Sequence, residues 1–390
     1  MSFVSDLLLH TKEYESPNSF WKWSAYAAIA GVLRDNVWLV DGDSKLFPNI
    51  YILLVAGPAQ RKGRPVVTAE HLVHLVKNVK VISGRSSIQA ILKDIGQTET
   101  DEHGKVIRGG SAIFFAQELS AGLVQDDQSI QILTDIYDYK PTGHTTNLIG
   151  RGKHKLDQLI FSMMGASNEE LLKDVYSSKA IHGGLLGRTS LIFPDEYRKA
   201  NPFPSGDETR FRSVTDQLKK IGNLIGSVRF APDAKSYYEK WYIEFREQCR
   251  TRTDKAGVLG RLHTHVKKLS LILAANDYST DVRLCHVEQA VDECIGLLPN
   301  YNTFIMSTGK SLAAEAGATI LQALAEKDGH MMTRREILAK YWQDISSEVL
   351  DEIATTLSEA GMLEVYQHGG GLGYKLTPKC LNTIFNKGNQ

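Results

Sequence analysis

"YILLVAGPAQRKGRPVV", residues 51–67, decides how the chain is read. The apolar run Tyr51 to Val55 predicts a buried strand. Small residues and a turn follow, then a lysine, then "VVTAEHLVHLV" with apolar residues at helical spacing. Strand, turn, lysine and helix in that order are the context of a phosphate-binding loop, G-x-x-x-x-G-K-[ST]. There, backbone N–H groups and a helix N-terminus converge on a phosphate while the lysine bridges its oxygens. Lys62 stands six residues after Ala56, the spacing this motif requires. Three positions depart from it: Ala56 replaces the first glycine, Arg61 the second, and Gly63 the Ser or Thr that binds magnesium. The expected nucleotide-contacting residues are Gly57, Pro58, Ala59, Gln60, Arg61, Lys62, Gly63 and Arg64. Taken alone, the motif is balanced by a plainer alternative, a turn carrying a solvated lysine.

The chain has 390 residues, 42% of them hydrophobic and 23% charged, with a formal net charge of zero. That composition fits a globular protein long enough for two or three domains with a real core. A net charge of zero supplies no global field toward nucleic acid or membrane, so any DNA contact must come from a local basic patch. Cys249, Cys285, Cys294 and Cys380 form no C-x-x-C pair, which argues against a zinc site or a disulfide framework and for reduced thiols. "MSFVSDLLLHTKEY" is too short and too interrupted for a signal peptide or membrane span, so a cytoplasmic protein is expected.

Outward from the loop, residues 16–34 carry apolar residues at helical spacing behind Ser16-Pro17-Asn18, and "NVWLVDGDSKLFPN" (36–49) predicts a hairpin about Asp41-Gly42-Asp43. From 49 to 196 short apolar runs alternate with helical stretches. The predicted fold class is therefore α/β, with a mostly parallel sheet covered on both faces. Pro202, Pro204, Ser205 and Gly206 mark a linker, and 207–305 reads as all helix. From 311, three helical stretches lead into "GMLEVYQHGGGLGYKLT" (361–377), two strand-like runs around a triple glycine. Three helices and a hairpin make a winged-helix pattern.

Three later elements supply what a phosphate loop needs for chemistry. "SAIFFAQE" (111–118) is an apolar strand ending in Gln117-Glu118. Glu118 would polarise an attacking water, and Gln117 would hold the water shell of Mg2+, less strongly than an aspartate. "LIFSMMGASN" (159–168) delivers Asn168 just past a strand, where the amide orients water and γ-phosphate, or caps the next helix. "AIHGGLLGRTSLIF" (180–193) presents Arg188 from a glycine-rich turn. In a ring of subunits such an arginine reaches the neighbour's γ-phosphate and is worth roughly 10³ to 10⁵ in rate. Each has a plain alternative: a solvated glutamate, a helix cap, a surface arginine at a strand start.

The order of these elements resembles the AAA+ ATPases: Walker A, Walker B, sensor-1 asparagine, Gly-Arg finger, helical lid. More closely, "LFPNIYILLVAGPAQRKG" (46–63), "ELSAGL" (118–123) and "GGLLGR" (183–188) resemble an uncharacterised, helicase- or primase-associated P-loop family of phages and mobile elements. The resemblance covers roughly residues 15 to 300. It implies an N-terminal helical segment and hairpin over 1–48, a P-loop core over 49–196 and a helical lid over 197–309, ahead of the winged-helix domain over 310–390. It also implies ATP and Mg2+ as cofactors and a homo-oligomeric ring, a hexamer. A lid of this type supplies a sensor-2 basic residue. "GVLGRLHTHVKKL" (257–269) offers Arg261 for that role, with His265 and Lys268 on the same face; a merely structural basic helix is the alternative.

Between Glu118 and Asn168 lies "YKPTGHTTNLIGRGKHKLDQ" (139–158), with Lys140, His144, Arg151, Lys153, His154 and Lys155 against one acid, Asp157. Its position and charge are similar to the hairpin that superfamily-3 helicases project into the ring channel. It predicts contact with the DNA backbone, on single-stranded DNA, and a salt-sensitive affinity. A basic loop touching only a neighbouring subunit is the alternative. The expected recognition helix of the last domain, "SSEVLDEIATTLSEAG" (346–361), has Glu348, Asp351, Glu352 and Glu359 and no Lys or Arg. That charge is wrong for the major groove and points to a protein partner. The function expected is an ATP-dependent DNA motor of phage or mobile-element replication. Two alternatives stay open: a nucleotide-stabilised scaffold that tethers a replication protein, and a defence ATPase.

Overall fold

Tyr51–Val55, the apolar run ahead of the lysine, is a strand buried along its whole length. In the computed structural model, residues 2–84, 87–95, 99–100, 106–107, 110–119, 127–148, 152–156, 159–169, 172, 184–252, 254, 256–301, 304, 312–342, 345–368 and 371–381 are described. The chain divides into two units, Met1–Phe304 and Ile305–Gln390.

The first unit opens with α1 (Phe3–His10), α2 (Asn18–Leu33) and the hairpin β1 (Val37–Asp41) and β2 (Ser44–Leu46). Then come β3 (Tyr51–Val55), α3 (Gly63–His74), β4 (Lys80–Ser83), α4 (Ile88–Ile95) and the two-residue strands β5 (Glu99–Thr100) and β6 (Val106–Ile107). β7 (Ser111–Ala116), α5 (Asp127–Tyr137), β8 (His144–Leu148), β9 (Gly152–Leu156) and β10 (Ile160–Ser167) follow. A 3₁₀ turn, Leu186–Arg188, leads into β11 (Thr189–Ile192). The unit continues with α6 (Glu208–Gly222), β12 (Gly226–Phe230), α7 (Pro232–Cys249), α8 (Val258–Asn276), β13 (Asp281–Val282) and α9 (Leu284–Gly296).

The central sheet has five strands in the order β11-β3-β10-β7-β4, and every pairing is parallel. β3 and β10 are buried at every residue, which is why they read as unbroken apolar runs rather than alternating ones. Helix α2 presses closely on the sheet: a Cβ added at Gly31 would lie 2.9 Å from Ile113 Cδ1. The α/β class and parallel sheet expected from the alternation of runs are those of the structure.

The stretch 207–305 is not all helix. β12 pairs parallel with β1 and β13 pairs parallel with β12, giving a second sheet in the order β13-β12-β1-β2. "GSVRF" buries only Val228 fully, so its local pattern is faint. Its strand state comes from a partner nearly two hundred residues earlier in the chain, which local periodicity cannot reveal. This sheet ties the N-terminal hairpin to the segment expected to be a lid, and both belong to the first unit. The predicted turn does form: Asp41 pairs with Ser44 and Gly42 sits at φ 63°.

The second unit holds α10 (Leu312–Glu326), β14 (Met331–Thr333), α11 (Arg334–Tyr341), α12 (Ser347–Glu359), β15 (Leu363–His368) and β16 (Gly371–Leu376). The hairpin β15–β16 forms as expected, and β14, a strand the sequence did not suggest, completes an antiparallel sheet in the order β14-β16-β15. Its core gathers Leu324, Ile337, Leu350, Ile353, Tyr374 and Leu376. No helix among the described residues is long and apolar enough to cross a membrane.

Candidate functional site

Beyond Val55 the chain turns sharply enough to put two non-glycine residues in the left-handed region, Ala59 at φ 59° and Arg61 at φ 56°. That conformation costs roughly 1–2 kcal/mol per residue, so the loop must be held from outside. Ser16 Oγ donates to the Arg61 carbonyl at 2.8 Å, and Arg61 Nε donates to Glu15 Oε2 at 2.9 Å. Gln60 Oε1 accepts from the Gly57 N–H at 3.2 Å and from the Tyr197 hydroxyl at 2.6 Å. Arg61, standing where the motif has its second glycine, is thus braced in that conformation by residues 15–16.

Helix α3 begins at Gly63, with Lys62 as its N-cap. The first backbone N–H groups of a helix lack intrahelical partners and carry a partial positive charge, which suits them to an anion. Lys62 Nζ donates to the carbonyls of Ala56 at 2.7 Å and Gly57 at 2.6 Å, so its charge stands over the loop. Burial lowers the lysine's pKa, with Glu118 acting in the opposite direction. The loop therefore faces a carboxylate across the cleft.

Two neighbouring strands deliver the other predicted residues. β7 ends at Ala116, followed by Gln117 and Glu118, both exposed, while the Leu119 N–H is fastened to the Ala166 carbonyl at 2.7 Å. β10 ends at Ser167, followed by half-buried Asn168, whose carbonyl accepts from the Leu172 N–H at 3.0 Å. Lys62, Gly63, Gln117, Glu118, Ser167 and Asn168 line one cleft of about 440 Å³, along with Pro58, Ala59, Gln60 and Arg61. It opens at the C-terminal ends of β3, β10 and β7, the edge where parallel sheets bind ligands. Ser167 was not singled out from the sequence; its only signal was its place as the last residue of the strand.

Mg2+ prefers one or two carboxylates together with phosphate oxygens and water. Here the neutral amide of Gln117 and the single carboxylate of Glu118 face Gly63, which offers no hydroxyl. These residues fit a metal carried in by a nucleotide's phosphates, and do not fit one held by protein ligands alone. Among the described residues no group of three His, Cys, Asp or Glu side chains is arranged to hold a metal.

Arg188 and Arg261 lie elsewhere. Thr189, next to Arg188, pairs with Tyr51 at the start of β3, so Arg188 sits at the N-terminal edge of the sheet. Four strand steps at about 3.3 Å, roughly 13 Å, separate that edge from Val55. Arg188 is buried: its Nη2 donates to Asp138 Oδ2 at 2.8 Å and its Nη1 to the Gly184 carbonyl at 3.0 Å. Arg261 Nη1 donates to the same Asp138 oxygen at 3.2 Å. Arg261 is therefore away from the cleft, contrary to its expected sensor-2 role toward its own subunit's nucleotide. Arg188 is turned inward rather than projected.

A polar cluster lies behind this pair. Lys268 Nζ donates to Asn49 Oδ1 at 2.8 Å and stands 3.9 Å from the Tyr137 ring centre. Burial pushes Lys268 down to about 7, with Asp138 opposing. Burial also favours the neutral form of Asp138, but Arg188 and then Arg261 outweigh it and hold the carboxyl below its ordinary range. Asn49 Nδ2 donates to the Tyr137 and Phe161 carbonyls at 2.9 and 3.2 Å. Asp138 and Asn49 were missed as site residues. Asn49 belongs to the "LFPN" stretch (46–49) that carries the family resemblance, and Lys268 shares a helix face with Arg261.

The basic segment after Tyr139 forms an antiparallel hairpin, β8 with β9. Two of its predicted DNA contacts are spoken for. Lys140 is ion-paired to Asp135, and His144 is 2% exposed with Nδ1 3.3 Å from Asp135 Oδ2. His144 is thus a core histidine, its pKa lowered by burial against the pull of Asp135, and not a surface contact. Arg151 lies outside the described residues, as do the side chains of Lys153, His154 and Lys155.

No protein-family model matches this chain, and no curated protein matches it either.

Proposed function

We propose that the chain is an ATP-dependent, ring-forming motor of the AAA+-like kind, acting on single-stranded DNA in the channel of a hexamer during phage or mobile-element replication. The observation that carries this reading is the convergence of Lys62, Gln117, Glu118 and Asn168 on one cleft at the start of α3. In it, Lys62 and the first N–H groups of α3 bind the β- and γ-phosphates. Glu118 takes the proton of the attacking water, and Asn168 orients that water. Mg2+, when bound, supplies charge neutralisation at the phosphate oxygens. A second cavity of about 240 Å³, bounded by Tyr14, Ser16, Arg64, Asn201 and Pro202, shares Arg61 with the cleft, and the Arg64 guanidinium lies over its Tyr14 ring, 4.7 Å from the ring centre. Arg188, turned inward in the single chain, would serve the neighbouring subunit only after leaving Asp138.

The hairpin β8–β9 supports a channel role by its place between the strands of Glu118 and Asn168. The test is ATP turnover with and without single-stranded DNA. Stimulation by DNA, lost in the double variant Lys153→Ala/Lys155→Ala with basal turnover kept, is the expected result. Equal turnover with and without DNA, in the parent and in that variant, would remove the motor reading.

A specific observation favours a second reading, a nucleotide-stabilised scaffold. The helix–strand–helix–helix–hairpin order of residues 312–376 supports a winged-helix domain. In it Arg334, one of its basic residues, is bonded to Asp351, Ser347 and Tyr374 rather than free for phosphates. With Glu348, Asp351, Glu352 and Glu359 on α12, that surface suits a protein partner.

A further inference from the structure

The hairpin of the second unit carries more apolar surface than its own core covers. Val365 pairs with Tyr374 and Gln367 with Leu372, so these residues share the sheet face that turns Leu363 and Leu376 into the core. Toward the hairpin tip the cover runs out: Val365 is 45% exposed and Leu372 38%. They form one wall of a groove of about 670 Å³, and α12 forms the other through Ala354, Thr355 and Ser358. Those three side chains are short, which leaves room for a large one between helix and hairpin. The helix side is acidic. Glu348, Asp351 and Glu359 stand at i, i+3 and i+11, one line along α12, with Glu352 beside it, and all four are exposed. Arg334 offsets one of these charges, at Asp351, and the rim stays negative.

Helix α11 of the same unit carries the complement. Arg335, Ala339 and Trp342 stand at i, i+4 and i+7 and so share one face, with Lys340 beside it; all four are exposed. Trp342 is 70% exposed, which leaves most of a large apolar ring system in water. Tryptophan is enriched among the buried anchors of protein interfaces. Glu336, the acid on this helix, is turned back into a capping box with Thr333 and paired with Lys327. The face is therefore basic with an apolar knob, where the groove is acidic with an apolar slot. Trp342 does not line the groove of its own chain, so the match is one between chains.

We propose that the groove between α12 and the β15–β16 hairpin receives the α11 face of a second copy of this chain. Trp342 is the anchor against Val365 and Leu372, and Arg335 and Lys340 meet the acidic side of α12. Knob and groove are different surfaces, so the contact runs head to tail and leaves a free knob and a free groove for further copies. This rests on the protein-partner reading of α12 and names the partner; it owes nothing to the nucleotide reading of the Lys62 loop.

The test is cross-linking of full-length chains in which Cys249 and Cys285, the two cysteines that are not buried, are replaced by serine. One chain carries Ala339→Cys on the α11 face, the other Gln367→Cys at the lip of the groove. Both positions are exposed, and both changes keep Trp342, Val365 and Leu372. A short bismaleimide should join the two chains to each other, and each to itself far less. Trp342→Ala in the first chain, or Glu352→Lys with Glu359→Lys in the second, should each cut the mixed adduct by roughly tenfold or more. Arg335→Glu with Lys340→Glu in the first chain should restore it against the reversed groove. Self-adducts in place of the mixed adduct would overturn the head-to-tail contact. A mixed adduct no stronger than one made through Tyr278→Cys, an exposed position in the first unit, would overturn a second copy as the occupant. Failure of the protein-partner reading looks different: single-stranded DNA would then shield Gln367→Cys from a monofunctional maleimide.

Discussion

Gly63 and Gln117 face each other across the cleft: a Cβ built at Gly63 would stand 3.8 Å from Gln117 Oε1. The two departures from the usual motif thus stand at one place, and on the nucleotide reading they would weaken the hold on Mg2+ while leaving room for a hydroxyl and a carboxylate. Gly63 has no positive φ, so a β-branched residue meets no backbone conflict there. Gly63→Thr with Gln117→Asp should restore a hydroxyl and a carboxylate, and lower the Mg2+ concentration for half-maximal ATP turnover by about tenfold. Magnesium titrations of turnover in parent and variant check this. An unchanged midpoint would mean that these positions do not face the metal.

Gly187 offers a sharper structural test. A Cβ there would lie 2.7 Å from the Gly257 carbonyl oxygen and 2.8 Å from that of Ala256, both rigid backbone. Gly187→Ala should therefore destabilise the first unit by about 1–3 kcal/mol, the cost of overpacking. Urea unfolding would measure it. The glycine is needed for close approach of the chain ahead of α8, and not for freedom of the arginine beside it.

Stability should depend on pH through the cluster at the same edge. Burial pushes His265 down to about 4 from an ordinary 6.5, against its hydrogen bond to the Gly187 carbonyl. Its folded pKa lies below the unfolded one, so the unfolded chain binds the proton first as pH falls. The stability of the neutral ring is complete above about 6.5 and is lost as pH falls toward 4. Lys268, pushed down to about 7 from 10.5, gives a slope of the same sign in a higher window: stability rises with pH between those values. Each proton contributes at most about 1.4 kcal/mol per pH unit. Urea midpoints from pH 4 to 9 should rise in both windows, with Lys268→Met removing the upper rise and His265→Gln shrinking the lower.

The loop, its strand and its helix were legible because their signals are local: an apolar run, a turn, and apolar residues at helical spacing over 51–76. Gln117 and Asn168 were legible for the same reason, each standing just past a buried strand. What local pattern could not carry was partnership across the chain. β12 looks like part of a helical region until β1 is beside it. Arg188 and Arg261 read as two separate catalytic candidates until Asp138 is seen between them. His144 read as one of a row of basic residues, although its ring is tucked against Asp135 on the preceding helix.

A working nucleotide site over residues 56–63 is tested by the affinity of the full chain for an ATP analogue before and after Lys62→Ala. Lys62 carries the charge that stands over the loop, within 2.7 Å of its carbonyls. A charged hydrogen bond of this kind is worth about 1.5–3 kcal/mol, so affinity should fall by roughly 10- to 100-fold, with the unfolding midpoint little changed. Equal affinity in the two proteins, or no measurable binding in either, would leave the loop as a strained turn with a lysine folded over it and no nucleotide site.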